Sequence, residues 1–142
     1  MNVKTERSSE RGRIAIDTYA WIEYFRGSDE GRRAARFIDG ETELLTPAIV
    51  IAELSDKYRR SGLSEAWEKQ RLPFIGVKST IVPIDQTIAN LAGKIKLEKR
   101  KDFSDFGLGD ALVLATAKEL SSQLLTGDRH LKKDESAIDI TE

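Results

Sequence analysis

The sequence predicts an α/β fold in which a short, mostly parallel central sheet lies between helical layers, a three-layer α/β/α sandwich. Three observations predict it. Short apolar runs rich in Ile, Leu, Val and Thr recur along the chain, each bounded by turn residues and too brief for a helix. They alternate with longer segments of helical periodicity, the order that builds parallel βαβ units. The runs are apolar at consecutive positions rather than at every second one, as in strands covered by helices on both faces.

Taken in order, residues 1–12 carry no hydrophobic periodicity and read as a flexible tail, leaving 13–142 as a single domain. Arg13 to Asp17 reads as the first strand. Thr18 to Phe25 follows as a helix with Trp21, Ile22 and Phe25 on one stripe. Gly27 and Ser28 end it, and Ser28 or Asp29 caps a second helix with Ala34, Ala35 and Ile38 as its apolar positions, stopped by Gly40. Glu43 to Thr46 is the second strand. Thr46 as N-cap and Pro47 at the first helical position start the next helix, which runs through Glu53 to the neighbourhood of Arg60 and stops at Gly62. Ser64 caps a further helical stretch that Pro73 and Gly76 break up, and Thr80 to Ile84 is the third strand. Asp85 caps a long helix in which Ile88, Leu91, Ala92 and Ile95 share one face. Lys99 to Gly109 is polar and loop-like. Asp110 to Leu120 is a helix apolar nearly all round, so it belongs at the centre. Gln123 to Thr126 and Ala137 to Ile140 complete the strands.

A chain of 142 residues suffices for one domain with a core of its own, and 39% hydrophobic with 33% charged residues is ordinary for a soluble globular protein. The absence of cysteine excludes disulfide scaffolds, thiolate catalysis and zinc–thiolate sites. No apolar stretch approaches the length of a membrane helix, and the polar start MNVKTERSSERG lacks a signal peptide's apolar region. The expected location is therefore the cytoplasm, with no membrane partner. A net charge of −1 argues against nucleic-acid binding by bulk electrostatics, but not against a basic surface segregated from an acidic pocket.

Four acids stand where a carboxylate is costly. Asp17 ends the run Ile14-Ala15-Ile16, and Glu53 follows Ile49-Val50-Ile51-Ala52. Asp110 opens the apolar Ala111-Leu112-Val113-Leu114-Ala115, and Asp128 follows Leu124-Leu125-Thr126-Gly127. Two have an ordinary explanation when taken alone, Asp110 after Gly109 as an N-cap and Asp128 in a TGD sequence as an Asx-turn, whereas the apolar flank of Glu53 gives it no structural job. Together they point to one site, because Asp17 and Asp128 end strands and ligands in open α/β sheets bind beyond the carboxyl ends of strands. Two carboxylates at about 4 Å repel by about 4 kcal/mol at an effective dielectric of about 20. A hard divalent cation removes that repulsion, and an all-oxygen donor set suits Mg²⁺ or Mn²⁺ better than zinc. Such an ion activates water and neutralises charge on a phosphoryl group, which makes phosphodiester hydrolysis the expected chemistry.

The segments IDTYAWIEYF, PAIVIAEL, GLGDALVLATA and LLTGDRHL resemble, in order and spacing, the four signature segments of the PIN-domain family, most closely the toxin branch of VapBC-type toxin–antitoxin pairs. The resemblance spans the chain from about Arg13 to Ile140. It implies a Mg²⁺- or Mn²⁺-dependent endoribonuclease, usually a homodimer, neutralised by a small antitoxin protein. The family's acidic positions fall on Asp17, Glu53, Asp110 and Asp128, and its small hydroxyl residues on Thr18 and Thr126. Asp17 and Asp110 are expected to ligate directly, Asp128 directly or through water, and Glu53 to ligate or to orient the attacking water.

Three features stand further from the acids. His130, the only histidine, lies one turn past Asp128 and reads as a surface or packing residue. Lys94, Lys96, Lys99, Arg100 and Lys101 form a basic run that reads equally as a solvated face and as a track for an RNA backbone, with Lys96, Lys99, Arg100 and Lys101 as the candidate contacts. Trp21 and Phe25 read as core, with a base-stacking or partner surface as the other use of these aromatics and Tyr24. The competing readings are a PIN nuclease that processes RNA or cleaves DNA without an antitoxin, and a non-catalytic binding module. A phosphoaspartate phosphatase or receiver fold is poorer, since it wants a second acid two residues after Asp17, where Tyr19 stands.

Overall fold

The computed structural model describes residues 12–142, so the tail expected over residues 1–12 falls, apart from Gly12, outside the described residues. Five strands form one sheet in the order β3-β2-β1-β4-β5, every neighbouring pair parallel. They are β1 (Ile14–Ile16), β2 (Leu44–Pro47), β3 (Thr80–Val82), β4 (Gln123–Thr126) and β5 (Ala137–Asp139). All residues of β1 and β2 are buried, which requires cover on both faces and makes the architecture an α/β/α sandwich. In register, Ala15 lies opposite Leu45 on one side and Leu124 on the other. The chain steps outward from β1 through β2 to β3, then crosses back to place β4 on β1's other edge. The direction of winding therefore reverses between β1 and β4, which opens a crevice at their carboxyl ends.

The helices are α1 (Thr18–Arg26), α2 (Asp29–Ile38), α3 (Ala48–Arg60), α4 (Ser64–Ala66), α5 (Leu72–Lys78), α6 (Gln86–Lys99) and α7 (Leu108–Glu119). Side-chain caps explain several boundaries. Asp17 accepts from the Ala20 N–H at 2.7 Å to start α1, Ser28 from Gly31 at 3.0 Å to start α2, and Asp85 from Ile88 at 2.8 Å to start α6. Gly62, at φ +77°, ends α3 with the Leu63 N–H reaching back to the Tyr58 carbonyl at 2.8 Å. Helix α7 buries Ala111, Val113, Leu114, Ala115, Thr116 and Ala117, so it sits at the centre as its apolar surface requires.

Three expectations are corrected. Thr46 does not cap α3: Pro47 is the last residue of β2, no side chain caps the helix, and the Thr46 hydroxyl is taken up in the core. There it accepts from Trp21 Nε1 at 3.2 Å and meets Ser79 Oγ at 2.7 Å, and Ser79 donates to the Ile75 carbonyl at 2.8 Å. A buried indole N–H and two buried hydroxyls satisfy one another in this way, and that need outweighs a cap. Ser64 also caps nothing, since the residue before α4 is Leu63 and no side-chain bond forms there. Pro73 and Gly76 do not break the helical stretch. A π-helical turn over Trp67–Arg71 joins α4 to α5, with the Leu72 N–H bonded five residues back to Trp67. The wider turn lets Pro73 enter at the start of α5, where its missing N–H leaves no gap in the ladder.

Candidate functional site

At the carboxyl ends of β1 and β4 lies a pocket of about 250 Å³ lined by Asp17, Thr18, Tyr19, Ile22, Glu53, Asp110, Val113, Asp128 and Leu131. The structure thus brings together all four acids singled out from the sequence, from four different elements or their ends.

Asp17 leaves β1 and is buried. Its Oδ1 caps α1 and its Oδ2 accepts from the Thr126 hydroxyl, which in turn accepts the Asp128 N–H at 3.0 Å. Thr126 is not part of the pocket wall; it ties Asp17 to the turn that carries Asp128. Thr18 donates to Glu53 Oε1 at 2.6 Å and fixes the carboxylate that α3 projects into the pocket. Asp110 occupies the first turn of α7, where the helix dipole favours a negative charge, but Gly107 is the N-cap. Asp128 does form the Asx-turn its sequence allows, with Oδ1 accepting the His130 N–H at 2.8 Å.

Electrostatics show the cost of this gathering. Burial pushes Asp17 up to about 7; the hydrogen bonds from Thr126 and Ala20 oppose the rise, and the charges of Asp128 and Asp110 add to it. Asp110 is pushed up to about 6, first by burial and then by Asp128, with His130 opposing and Glu53 adding. Carboxylates held this high are short of positive charge, and a divalent cation supplies it. One donor set is already compact: ligand atoms of Asp110, Asp128 and His130 all lie within 4.8 Å of one another. Asp17 faces the same pocket but stands outside that set.

His130 departs most from its sequence reading. Its ring does pack, edge-on to Phe103 and Phe106, but only 13% of the side chain is exposed and both ring nitrogens meet carboxylates. Nδ1 lies 3.1 Å from Asp110 Oδ2 and Nε2 lies 3.0 Å from Asp105 Oδ1. Asp105 was not singled out, because it sits in a polar loop with no periodicity. Two other contributors carry only faint sequence signals. Tyr19 donates to Glu30 at 2.7 Å and packs over Gly127, where any Cβ would overlap its ring. Gly109 leaves room for Glu53, whose Oε2 would lie 3.0 Å from an added Cβ.

The basic run is partly engaged by the protein itself. Arg100 Nε donates to the Phe106 carbonyl at 2.7 Å, Lys99 approaches Asp134 at 3.5 Å, and Lys101 pairs with Glu98 at 3.2 Å. Trp21 is fully buried, whereas Tyr24, Phe25 and Phe74 border a shallow cavity with Gln70 and Arg71. Among the described residues no helix is long and apolar enough to cross a membrane.

The fold matches solved structures. A toxin–antitoxin complex from Klebsiella pneumoniae aligns with TM-score 0.68 at 20% identity, covering 89% of this chain and 97% of that one. The VapBC2 complex from Rickettsia felis, bound to a DNA fragment from its promoter, aligns with TM-score 0.70 at 16% identity, covering 89% and 96%. Mycobacterium tuberculosis VapC20, described as a Sarcin-Ricin loop cleaving toxin, aligns with TM-score 0.60 at 16% identity, covering 75% and 82%. No curated protein matches the chain. Residues 14–134 match the PIN domain model, from the first residue of β1 to beyond Asp128, and the chain belongs to the PIN domain family.

Proposed function

We propose that this chain is a metal-dependent endoribonuclease, the toxin of a toxin–antitoxin pair. The observation that carries the reading is the convergence of Asp17, Glu53, Asp110 and Asp128 on one pocket in a PIN domain. The donor chemistry fits a divalent ion, Mg²⁺ or Mn²⁺, held by Asp110 and Asp128 with Asp17 beside them. When bound, such an ion lowers the pKa of a coordinated water and offsets charge growing on the phosphoryl oxygens. Asp17, kept in place by Thr126 and the α1 N-terminus, supplies the remaining negative charge next to that ion. Glu53, oriented by Thr18, would direct a water toward phosphorus. Tyr19, Ile22, Val113 and Leu131 complete the pocket lining with less polar surface.

The antitoxin reading is supported by the fold's likeness to chains from toxin–antitoxin complexes, and the RNA reading by likeness to a toxin described as cleaving the Sarcin-Ricin loop. Residues 13–142 would act as one nuclease domain, in the cytoplasm, as a homodimer inhibited by a small partner protein. Lys96, Lys99, Arg100 and Lys101 would contact the RNA backbone. The test is cleavage of labelled RNA and DNA of the same sequence by purified protein in Mn²⁺. Cleavage within the RNA alone is the expected result. Equal cutting of DNA would favour a general nuclease, and no cutting of either would favour a binding module.

A further inference from the structure

We propose that His130 is itself a ligand of the divalent ion, through Nδ1, with Asp105 as the carboxylate that fixes its ring, making the centre a mixed carboxylate–imidazole site. The inference rests on the metal-dependent reading above and adds a nitrogen donor to it.

The donor spacing is the first argument. Nδ1 lies 3.1 Å from Asp110 Oδ2 and 3.6 Å from Asp128 Oδ1. Donor atoms bound at about 2.1 Å to one octahedral ion sit about 3 Å apart when adjacent. Nδ1 thus already stands from each of the two carboxylates at about the separation that a shared ion imposes.

Tautomer logic is the second. A neutral imidazole carries one N–H and one lone pair. With the proton on Nε2, 3.0 Å from Asp105 Oδ1, the Nδ1 lone pair is free to bind an ion shared with Asp110 and Asp128. A ring whose far N–H is held by a carboxylate while its near nitrogen faces the donor set is the usual arrangement of a metal-bound histidine.

The third argument is that the ring is built into place. Its edge contacts with Phe103 and Phe106 have centroid distances of 5.2 and 5.8 Å. Arg100 Nε holds the Phe106 carbonyl at 2.7 Å, and the Phe103 N–H bonds the Lys99 carbonyl at 2.9 Å, so the loop presenting Asp105 is pinned at both ends. Arg129 pairs with the other oxygen of Asp105. The His130 backbone N–H also holds Asp128 at 2.8 Å, which ties the ring's own segment to a pocket carboxylate. This much support exceeds what a surface histidine needs.

A nitrogen donor shifts preference toward transition metals over Mg²⁺. Tag-free protein should be loaded with Mn²⁺ and read by electron spin echo envelope modulation. Because His130 is the only histidine in the chain, an imidazole ¹⁴N coupling is assigned to it without mutation. The expected result is that coupling in wild type, its replacement by a ¹⁵N signal after selective labelling with ¹⁵N-histidine, and its loss in His130→Gln. Asp105→Asn should keep the coupling and weaken Mn²⁺ binding by about 10-fold in a calorimetric titration. Bound Mn²⁺ without imidazole coupling would overturn the inference, leaving His130 as a positioning residue for Asp110 and the metal reading intact. Failure of Mn²⁺ to bind wild type at all would overturn both.

Discussion

At Asp17 one side chain caps a helix, accepts from a buried threonine and stands among like charges. Asp17→Asn keeps the volume and removes a charge the metal-free pocket cannot neutralise. Metal-free Asp17→Asn is expected to melt above wild type at pH 8 while losing RNA cleavage; a lower melting temperature would mean that the cap and the Thr126 bond outweigh the repulsion. Thr126 has one hydroxyl with both uses filled, donating to Asp17 and accepting from Asp128. Thr126→Val strands a backbone N–H and a carboxylate oxygen, an expected loss of about 1–3 kcal/mol in urea denaturation. A loss under half a kilocalorie would show that water replaces the hydroxyl. The acids were legible because each interrupts or ends an apolar run, where a carboxylate needs a reason. His130 was not, because it follows exposed Arg129, and its partners Asp105, Phe103 and Phe106 lie in a loop without periodicity.

Among the elements, the strands and most helices were legible within a residue or two from their apolar runs and from the caps Ser28 and Asp85. What failed were local signals that tertiary demands override. Thr46-Pro47 looks like a helix start, but the Trp21 indole and Ser79 claim the hydroxyl first. Pro73 looks like a break, but a π-helical turn removes the conflict. The packing of α1 on α2 turns on Gly31, where an added Cβ would overlap the Glu23 carbonyl. Backbone cannot yield as a side-chain tip does, so Gly31→Ala should cost about 1–3 kcal/mol, measured as a lower urea midpoint. An unchanged midpoint would mean that the two helices separate freely.

For the whole molecule, a parallel sandwich could be read from the alternation of strand and helix, but not the order β3-β2-β1-β4-β5. Short strands apolar on both faces resemble one another, and pairing across distant sequence leaves no local mark. Yet that order sets the site, since β1 and β4 become neighbours only by the crossing back. The clustered acids also set how stability depends on pH. Asp17 and Asp110 hold their protons to about 7 and about 6 in the folded protein, above the ordinary 3.8. Between about pH 4 and 7 the folded state therefore binds more protons than the unfolded chain, and stability falls as pH rises. Metal-free protein should melt lower at pH 8 than at pH 5, and Asp17→Asn/Asp110→Asn should flatten the slope in calorimetry. A wild-type slope of the opposite sign would show that other groups govern this range.

Metal should offset part of that loss. If the dissociation constant is about 1 mM, about 10 mM Mn²⁺ adds about 1.4 kcal/mol by mass action, a rise of a few degrees for a domain of this size. The gain should be larger at pH 8 than at pH 5, where protonated acids do not bind. The most direct test of the central claim joins binding to chemistry in one titration: Mn²⁺ is added to chelator-treated wild type and to Asp17→Asn/Asp110→Asn, and melting temperature and cleavage of labelled RNA are followed together. The account predicts that in wild type both rise over the same Mn²⁺ range, and that in the double variant neither moves. Equal melting shifts in the two proteins, or RNA cleavage by the double variant at the wild-type rate, would contradict it.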